Sequence, residues 1–294
     1  MRVLLTGWFS FELMGASAGD LLARDLVAEW LEDSGVPFDL AHAPPFEGGV
    51  DWREVDPGRY THVVFVCGPF GNGDPLVEFL ERFRNARLVG VNLTMLEPLN
   101  AWNPFDLLLE RDSSEAIRPD LVFASKPRPV PVIGLVLRDK GSEYGTRHRY
   151  GQSIELVEGV LRSREMAVVR IDTRLDENTS GLRTPAEVEA IIARMDAIVT
   201  TRLHGLVMAL RNGVPALAID PIASGGKISR QAGAVGWPEV FSVDTATPEQ
   251  LEEALGFCLT QSARDTAREC ASGAASKLDE PRKRFAEYFS HHRS

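Results

Sequence analysis

The sequence predicts an α/β protein built from two doubly wound domains facing each other across a cleft. Three observations carry that expectation. Short apolar runs alternate with helical periodicities along the whole chain, the pattern that folds as parallel strands joined by crossover helices. Gly-rich or charged residues follow many of the apolar runs, where the carboxyl ends of parallel strands bind ligands. Residues 125–131 hold three prolines in seven positions, which no helix or sheet interior tolerates. They divide the chain into a first domain over 1–128 and a second over 129–294.

In the first domain, residues 2–7 read as a strand and are followed by a small-residue loop over 14–20. A helix then carries Leu22, Leu26 and Trp30 on one face, closed by Ser34-Gly35. Residues 36–41 read as a second strand, 43–60 as surface loop with a short helix, and 61–67 as a third strand emptying into the Gly-rich loop 68–74. A helix over 76–83 and a strand over 87–93 follow. Residues 105–109 read as strand, 112–116 as a short helix and 121–123 as a last short strand.

In the second domain, 132–137 is an apolar strand ending on Arg138, followed by polar loop over 139–149, helix over 153–164 and strand over 166–172. Thr184-Pro-Ala-Glu187 is a helix start with Thr184 as N-cap, Pro185 in the first turn and Glu187 closing the box. The central stretch is 195–230. Residues 197–200 read as a buried strand, and Leu203, Leu206, Val207 and Leu210 fall on one helical face. Gly213 and Pro215 stop that helix and 216–219 is the next strand, so the stretch is a strand–helix–strand unit. Lys227 ends a Gly-Gly loop after it. A strand over 240–243, a helix opened by Thr247-Pro-Glu-Gln250, and a helical stretch over 262–289 broken near Pro281 complete the chain.

Composition narrows the function. Hydrophobic residues make up 44% and charged residues 25%, ordinary for a soluble globular protein. A net charge of −10 argues against a nucleic-acid binder or a basic membrane-surface protein, while leaving room for a basic pocket selective for small anions. Cys67, Cys258 and Cys270 are far apart with no CxxC or His/Cys cluster, so neither a disulfide framework nor a zinc site is expected, and a reducing, cytoplasmic setting is. No stretch reads as a signal peptide or integral membrane segment.

Four residues map to the carboxyl edge of the second sheet: Arg138 at one strand end, Arg202 and His204 after another, Lys227 after a third. Arg grips carboxylate or phosphate with a two-pronged fork, Lys acts as a point charge, and His titrates near neutral pH. Such a set suits a small anion carrying phosphate and carboxylate together, plus a proton transfer. Residues two apart on a helix point to nearly opposite sides, so Arg202 and His204 share a ligand only if the helix begins at about Leu203. Taken singly, each is equally a surface charge or a structural histidine. In the first domain Gly19, Asp20 and Gly68 follow strands. Glycines there let backbone approach a ligand, and they also simply make turns; Asp20 orients a hydroxyl or caps a helix. Neither Gly-rich loop fits a dinucleotide or P-loop pattern, and no serine has a GxSxG context.

Residues 196–206, Asp-Ala-Ile-Val-Thr-Thr-Arg-Leu-His-Gly-Leu, followed by Gly213-Val-Pro215 and by Asp220-Pro221 through Lys227, resemble the polysaccharide pyruvyl transferase family. The strand ending on Arg138 and Glu110-Arg-Asp112 resemble it too. The resemblance is specific over about 130–244 and weak over 1–128. It implies a GT-B-like pair of Rossmann-like domains, with the acceptor on the first and the donor on the second. It also implies transfer of a pyruvate ketal group from phosphoenolpyruvate to a sugar or glycan precursor, with release of phosphate. Carried over by residue, Arg138 and Arg202 bind the donor's phosphate and carboxylate, His204 is the general acid, and Lys227 neutralises the leaving phosphate. Gly19, Asp20 and Gly68 belong to the acceptor side. No cofactor or metal is required. The first Gly-rich loop departs from the family in having Ala18 where Asn usually stands, and Cys67-Gly-Pro-Phe-Gly71 replaces a triple-Gly turn; both departures fall on the acceptor side. The alternatives are a glycosyltransferase using a nucleotide sugar, and a non-catalytic anion- or glycan-binding protein. The C-terminal helix, with Phe285, Tyr288 and Phe289, is suited to packing on the first domain or on a second copy in a homo-oligomer.

Overall fold

The computed structural model describes residues 1–138, 145–176 and 179–291. The chain divides into two compact units, 1–128 and 129–294, with Arg128 and Pro129 on either side of the division. Residues 139–144, in the stretch read as polar loop, lie outside the described residues.

The first unit comprises β1 (Val3–Gly7), α1 (Ala18–Asp33), β2 (Phe38–Leu40), β3 (His62–Phe70), α2 (Leu76–Arg82), β4 (Arg87–Met95) and β5 (Leu107–Leu109). All pairings are parallel, in the order β2-β1-β3-β4-β5. Alternation along the strands builds two cores, one on each face. Val3, Leu5, Val64 and Val66 pack with Ala23 and Val27 of α1. Leu4, Val63 and Phe65 pack with Trp52, Phe79 and Phe83 in an aromatic cluster. Helix α1 therefore turns its small residues to the sheet, and Leu22 and Trp30, expected on the apolar face, are exposed. Strand β3 runs on to Phe70, beyond its expected end, because Cys67 and Gly68 take positive φ and let the ladder resume with Gly68 opposite Leu93. Residues 112–116 form a turn rather than a helix, tied by bridges from Asp112 to Thr94 and Ile117. Leu121–Ala124 is a 3-10 turn rather than a strand, capped by Asp120.

The second unit comprises β6 (Val132–Val136), α3 (Tyr150–Arg162), β7 (Ala167–Arg170), α4 (Pro185–Ile192), β8 (Ala197–Thr200), α5 (Leu203–Arg211), β9 (Ala216–Asp220), α6 (Lys227–Val235), β10 (Val240–Ser242), α7 (Pro248–Cys258), α8 (Gln261–Lys277) and α9 (Asp279–His291). Its strands are again all parallel, in the order β7-β6-β8-β9-β10. Each sheet thus has its second, first, third, fourth and fifth strands in that spatial order. In such a sheet the direction of winding reverses between the first and third strands, and the carboxyl ends there open into a crevice. In the second unit that point lies between β6 and β8. Both expected capping boxes form, Thr184 with Glu187 and Thr247 with Gln250. Helix α6 is an element the sequence reading did not contain.

Helix α5 sits unusually close to the strand that feeds it. A Cβ on Gly205 would lie 2.2 Å from Thr200 Oγ1 and 3.0 Å from Val136 Cγ1. Gly205→Ala gains helix propensity worth ~1 kcal/mol but must push α5 off the sheet, an overpacking cost of ~1–3 kcal/mol. We expect a net loss of stability of up to about 2 kcal/mol, measured by denaturant unfolding; a variant more stable than wild type would show that α5 does not depend on this close approach.

Candidate functional site

The site is assembled from strand ends by threonine hydroxyls. Thr200 Oγ1 donates to the Val136 carbonyl (2.8 Å) and accepts from the Arg202 amide (3.0 Å). The Arg138 amide donates to Thr201 Oγ1 (2.7 Å), and the Thr201 amide to the Val136 carbonyl (3.1 Å). These bonds lock the ends of β6 and β8 together and fix where Arg138 and Arg202 leave the sheet. Arg202 Nε donates to the Leu137 carbonyl, which sets the plane of its guanidinium. The Arg138 guanidinium carbon stands 5.5 Å from the ring centroid of buried Tyr150, at the start of α3, and that ring stacks on His148 (5.0 Å, 8°). A cation over an aromatic face is held electrostatically by the ring.

Arg202 is the N-cap of α5, with extended backbone, and no side chain caps that helix. The helix starts at Leu203, so Arg202 remains on the loop while His204 lies in the first turn. The segment after β9 brings the third cation. The Arg149 amide donates to the Pro221 carbonyl (2.7 Å) and the Ala223 amide to the Arg147 carbonyl (2.8 Å), holding this loop against the chain entering α3. Lys227 is the first residue of α6. Arg138, Arg202, His204 and Lys227 all line one small pocket of about 70 Å³, together with Tyr150, Thr201 and Asp220. Among the described residues, no acidic side chain forms an ion pair with Arg202, His204 or Lys227. Two helix N-termini, both favourable to negative charge, open onto this pocket, with Arg202 as the N-cap of α5 and Lys227 as the first residue of α6.

Thr200, Thr201, Tyr150 and Asp220 were not singled out by sequence reasoning. The paired threonines between a strand and a helix were the one available signal, since hydroxyls in that position satisfy orphan backbone groups. Nothing in the sequence pattern marked Tyr150, and Asp220, although it stands in the stretch that resembles the family, carried no signal that it would cap the helix following its strand.

The first-unit residues occupy a different environment. Asp20 stands at the third position of α1, where its Oδ2 accepts from the Ser17 amide and hydroxyl (both 2.7 Å), closing a capping box. Gly19 precedes it in the same turn, where a Cβ would meet Ser17 Oγ at 3.5 Å, an ordinary contact. Gly68 has φ +84°, and a Cβ on it would lie 2.3 Å from the Trp8 indole. Asp20 and Gly68 line a pocket of about 510 Å³ that includes Trp8, Asn72, Asp74 and Glu97 but no Lys, Arg or His; Gly19 does not line it. The three cysteines are free and buried, and burial pushes the Cys67 thiol up to about 11, which makes it a poor nucleophile. Among the described residues no three His, Cys, Asp or Glu side chains are grouped to hold a metal, and no helix is long and apolar enough to cross a membrane.

The chain is an α/β protein of two Rossmann-like units, the second with a pocket lined by three cations and a histidine. The polysaccharide pyruvyl transferase family model matches residues 119–221, about a third of the chain. The matched segment contains Arg138, Arg202 and His204 and ends six residues before Lys227. It supports a transferase role. No curated protein matches the sequence. Among solved structures, spinosyn forosaminyltransferase SpnP is 14% identical, with 92% of this chain and 94% of that chain covered, at a TM-score of 0.33. The UDP-GlcNAc 2-epimerase from Methanocaldococcus jannaschii is 9% identical, with 90% and 94% covered, also at 0.33. The E. coli ADP-heptose LPS heptosyltransferase II is 14% identical, with 89% and 99% covered, at 0.26. Scores this low carry no argument about mechanism.

An anion bound between these cations relieves their mutual repulsion and caps α5, so it must stabilise the folded state. At a hundredfold excess over its dissociation constant, inorganic phosphate should add ~2.7 kcal/mol of stability. Thermal unfolding should show this as a rise in Tm that is lost in Arg202→Ala; an unchanged Tm at high phosphate in wild type would contradict an anion site here.

Proposed function

We propose that the protein transfers a pyruvate ketal group from phosphoenolpyruvate to two hydroxyls of a carbohydrate acceptor, releasing phosphate. The observation that carries this reading is the convergence of Arg138, Arg202, Lys227 and His204 on one pocket of the second unit. Phosphoenolpyruvate carries a phosphate and a carboxylate a few atoms apart. Two guanidinium forks and an ammonium match those two anions, and the pocket's small size suits a compact ligand better than a nucleotide sugar.

The steps follow from the groups. Arg138 and Arg202 bind the donor's carboxylate and phosphate. His204 gives a proton to the methylene carbon, which leaves C2 electron-poor and stabilised by its oxygen. An acceptor hydroxyl adds at C2 and gives its proton back to His204. The C2–O bond to phosphate then breaks, with Lys227 neutralising the departing charge, and a second hydroxyl closes the ketal, its proton leaving with the phosphate. General acid catalysis of this kind contributes about 10²–10⁴-fold, so His204→Ala should lower turnover within that range. The reaction runs on these side chains without a cofactor. The acceptor is assigned to the first unit, at the pocket lined by Asp20 and Gly68, and the setting to the cytoplasm, where phosphoenolpyruvate is made.

Calorimetric titration with phosphoenolpyruvate tests the donor. Wild type should bind, Arg202→Ala should lose binding, and His204→Ala should keep most of it while losing phosphate release in the presence of acceptor. Binding of a nucleotide sugar in place of phosphoenolpyruvate would make the protein a glycosyltransferase. Donor binding without turnover on any glycan would make it a binding protein.

A further inference from the structure

Helix α6 begins against its own electrostatics. The positive end of a helix dipole favours an acidic residue, yet Lys227 holds the first position and Gly226, the N-cap, has no side chain with which to cap. The missing cap comes from outside the helix. Asp220, at the end of β9 and fully buried, accepts at Oδ2 from the Gly226 amide (2.7 Å), the Ser229 amide (2.9 Å) and the Ser229 hydroxyl (2.8 Å), and at Oδ1 from the Ile222 amide (3.2 Å). Gly226 is required for this arrangement, since a Cβ there would lie 2.9 Å from Asp220 Oδ1 and 2.9 Å from Ile222 Cγ1.

Asp220 and Lys227 line the same pocket, and among the described residues no ion pair joins them. A buried carboxylate beside a lysine would ordinarily take that lysine as its partner. Here three amides and a hydroxyl occupy the carboxylate, so the ammonium is left for something else.

We infer that Asp220 is a positioning residue. It pins both ends of the loop between β9 and α6, stands in for the α6 cap, and so presents Lys227 to a bound phosphate without neutralising it. Ser229 is the second half of the device. The inference rests on the anion-binding reading of this pocket but not on which phosphate compound is the donor.

The test measures inorganic phosphate binding by calorimetry on the full chain, for wild type, Ser229→Ala, Asp220→Asn and Lys227→Ala, and for each of the first two variants combined with the third. Ser229→Ala, which removes one hydrogen bond and leaves the fold least disturbed, should weaken phosphate roughly fivefold. Asp220→Asn, which sets an amide N–H against backbone donors, should weaken it roughly tenfold or more. Both losses should vanish once Lys227 is Ala, because there is no ammonium left to position. Losses that multiply undiminished in the Lys227→Ala background would reduce Asp220 to a structural cap, and unchanged affinity in both single variants would overturn the inference. If wild type binds phosphate but not phosphoenolpyruvate, the donor assignment falls while this inference stands. If wild type binds neither, both fall.

Discussion

The second unit is organised around a concentration of positive charge at one sheet edge. Arg138, Arg202 and Lys227 meet at the carboxyl edge of one sheet, and two of them sit on helix N-termini, where the backbone already contributes positive charge. Left free, these side chains would swing into solvent. Each is instead held by a contact within the unit. The Leu137 carbonyl takes Nε of Arg202, the Tyr150 ring lies beneath Arg138, and the Asp220 carboxylate fixes the turn that carries Lys227. For Arg202 and Lys227 the partners, a carbonyl and a backbone-saturated carboxylate, orient the cation without pairing with it. Violations of local helix preference that the fold goes out of its way to maintain are expected at functional sites.

Where the signals were local, the sequence was sufficient. Thr184-Pro-x-Glu187 and Thr247-Pro-x-Gln250 carry N-cap, first-turn proline and box residue within four positions, and both helices start there. The apolar runs of β3, β4, β6, β8 and β9 are buried on both faces and read as strands without ambiguity. Where the determining partner lay elsewhere, reading failed. Helix α6 is polar, contains Gly233 and has its cap supplied by Asp220 from the preceding strand, so no local start signal exists. The turn at 112–116 looked helical by composition but is shaped by the bond from Thr94 Oγ1 to Asp112 and by Arg111 reaching Asp120. In α1 the larger apolar residues suggested the wrong face, because close seating on the sheet selects small Ala23 and Val27 over Leu22 and Trp30. The convergence of Arg138, Arg202, His204 and Lys227 on one sheet edge was legible; the contacts made there by Thr200, Thr201, Tyr150 and Asp220 were not.

The two units share a strand order and differ in what they place at the sheet edge. The first unit lines its pocket with Asp20, Asp74 and Glu97 and fits the Trp8 indole against Gly68, where any side chain would collide. The second lines its pocket with cations. One topology therefore supplies two edges of opposite sign, as expected when function resides in loops grafted on a common frame.

The Arg-Leu-His-Gly sequence at the start of α5 has a physical reason at each position. Arg202 keeps extended backbone as the N-cap, so its side chain leaves from the loop rather than from the helix surface. Leu203 packs partly into the core and anchors the first turn. His204 then emerges on the pocket side, two residues from Arg202 yet lining the same pocket, which a helix starting one residue earlier would prevent. Gly205 lets this turn rest on Thr200, the residue whose hydroxyl joins β6 to the Arg202 amide. A side chain at 205 would lift the turn, break the threonine's bonds and move Arg202 and His204 together. The motif is thus a unit of packing before it is a set of ligands: its two polar residues line one pocket because its two non-polar residues bring the helix down onto the strand.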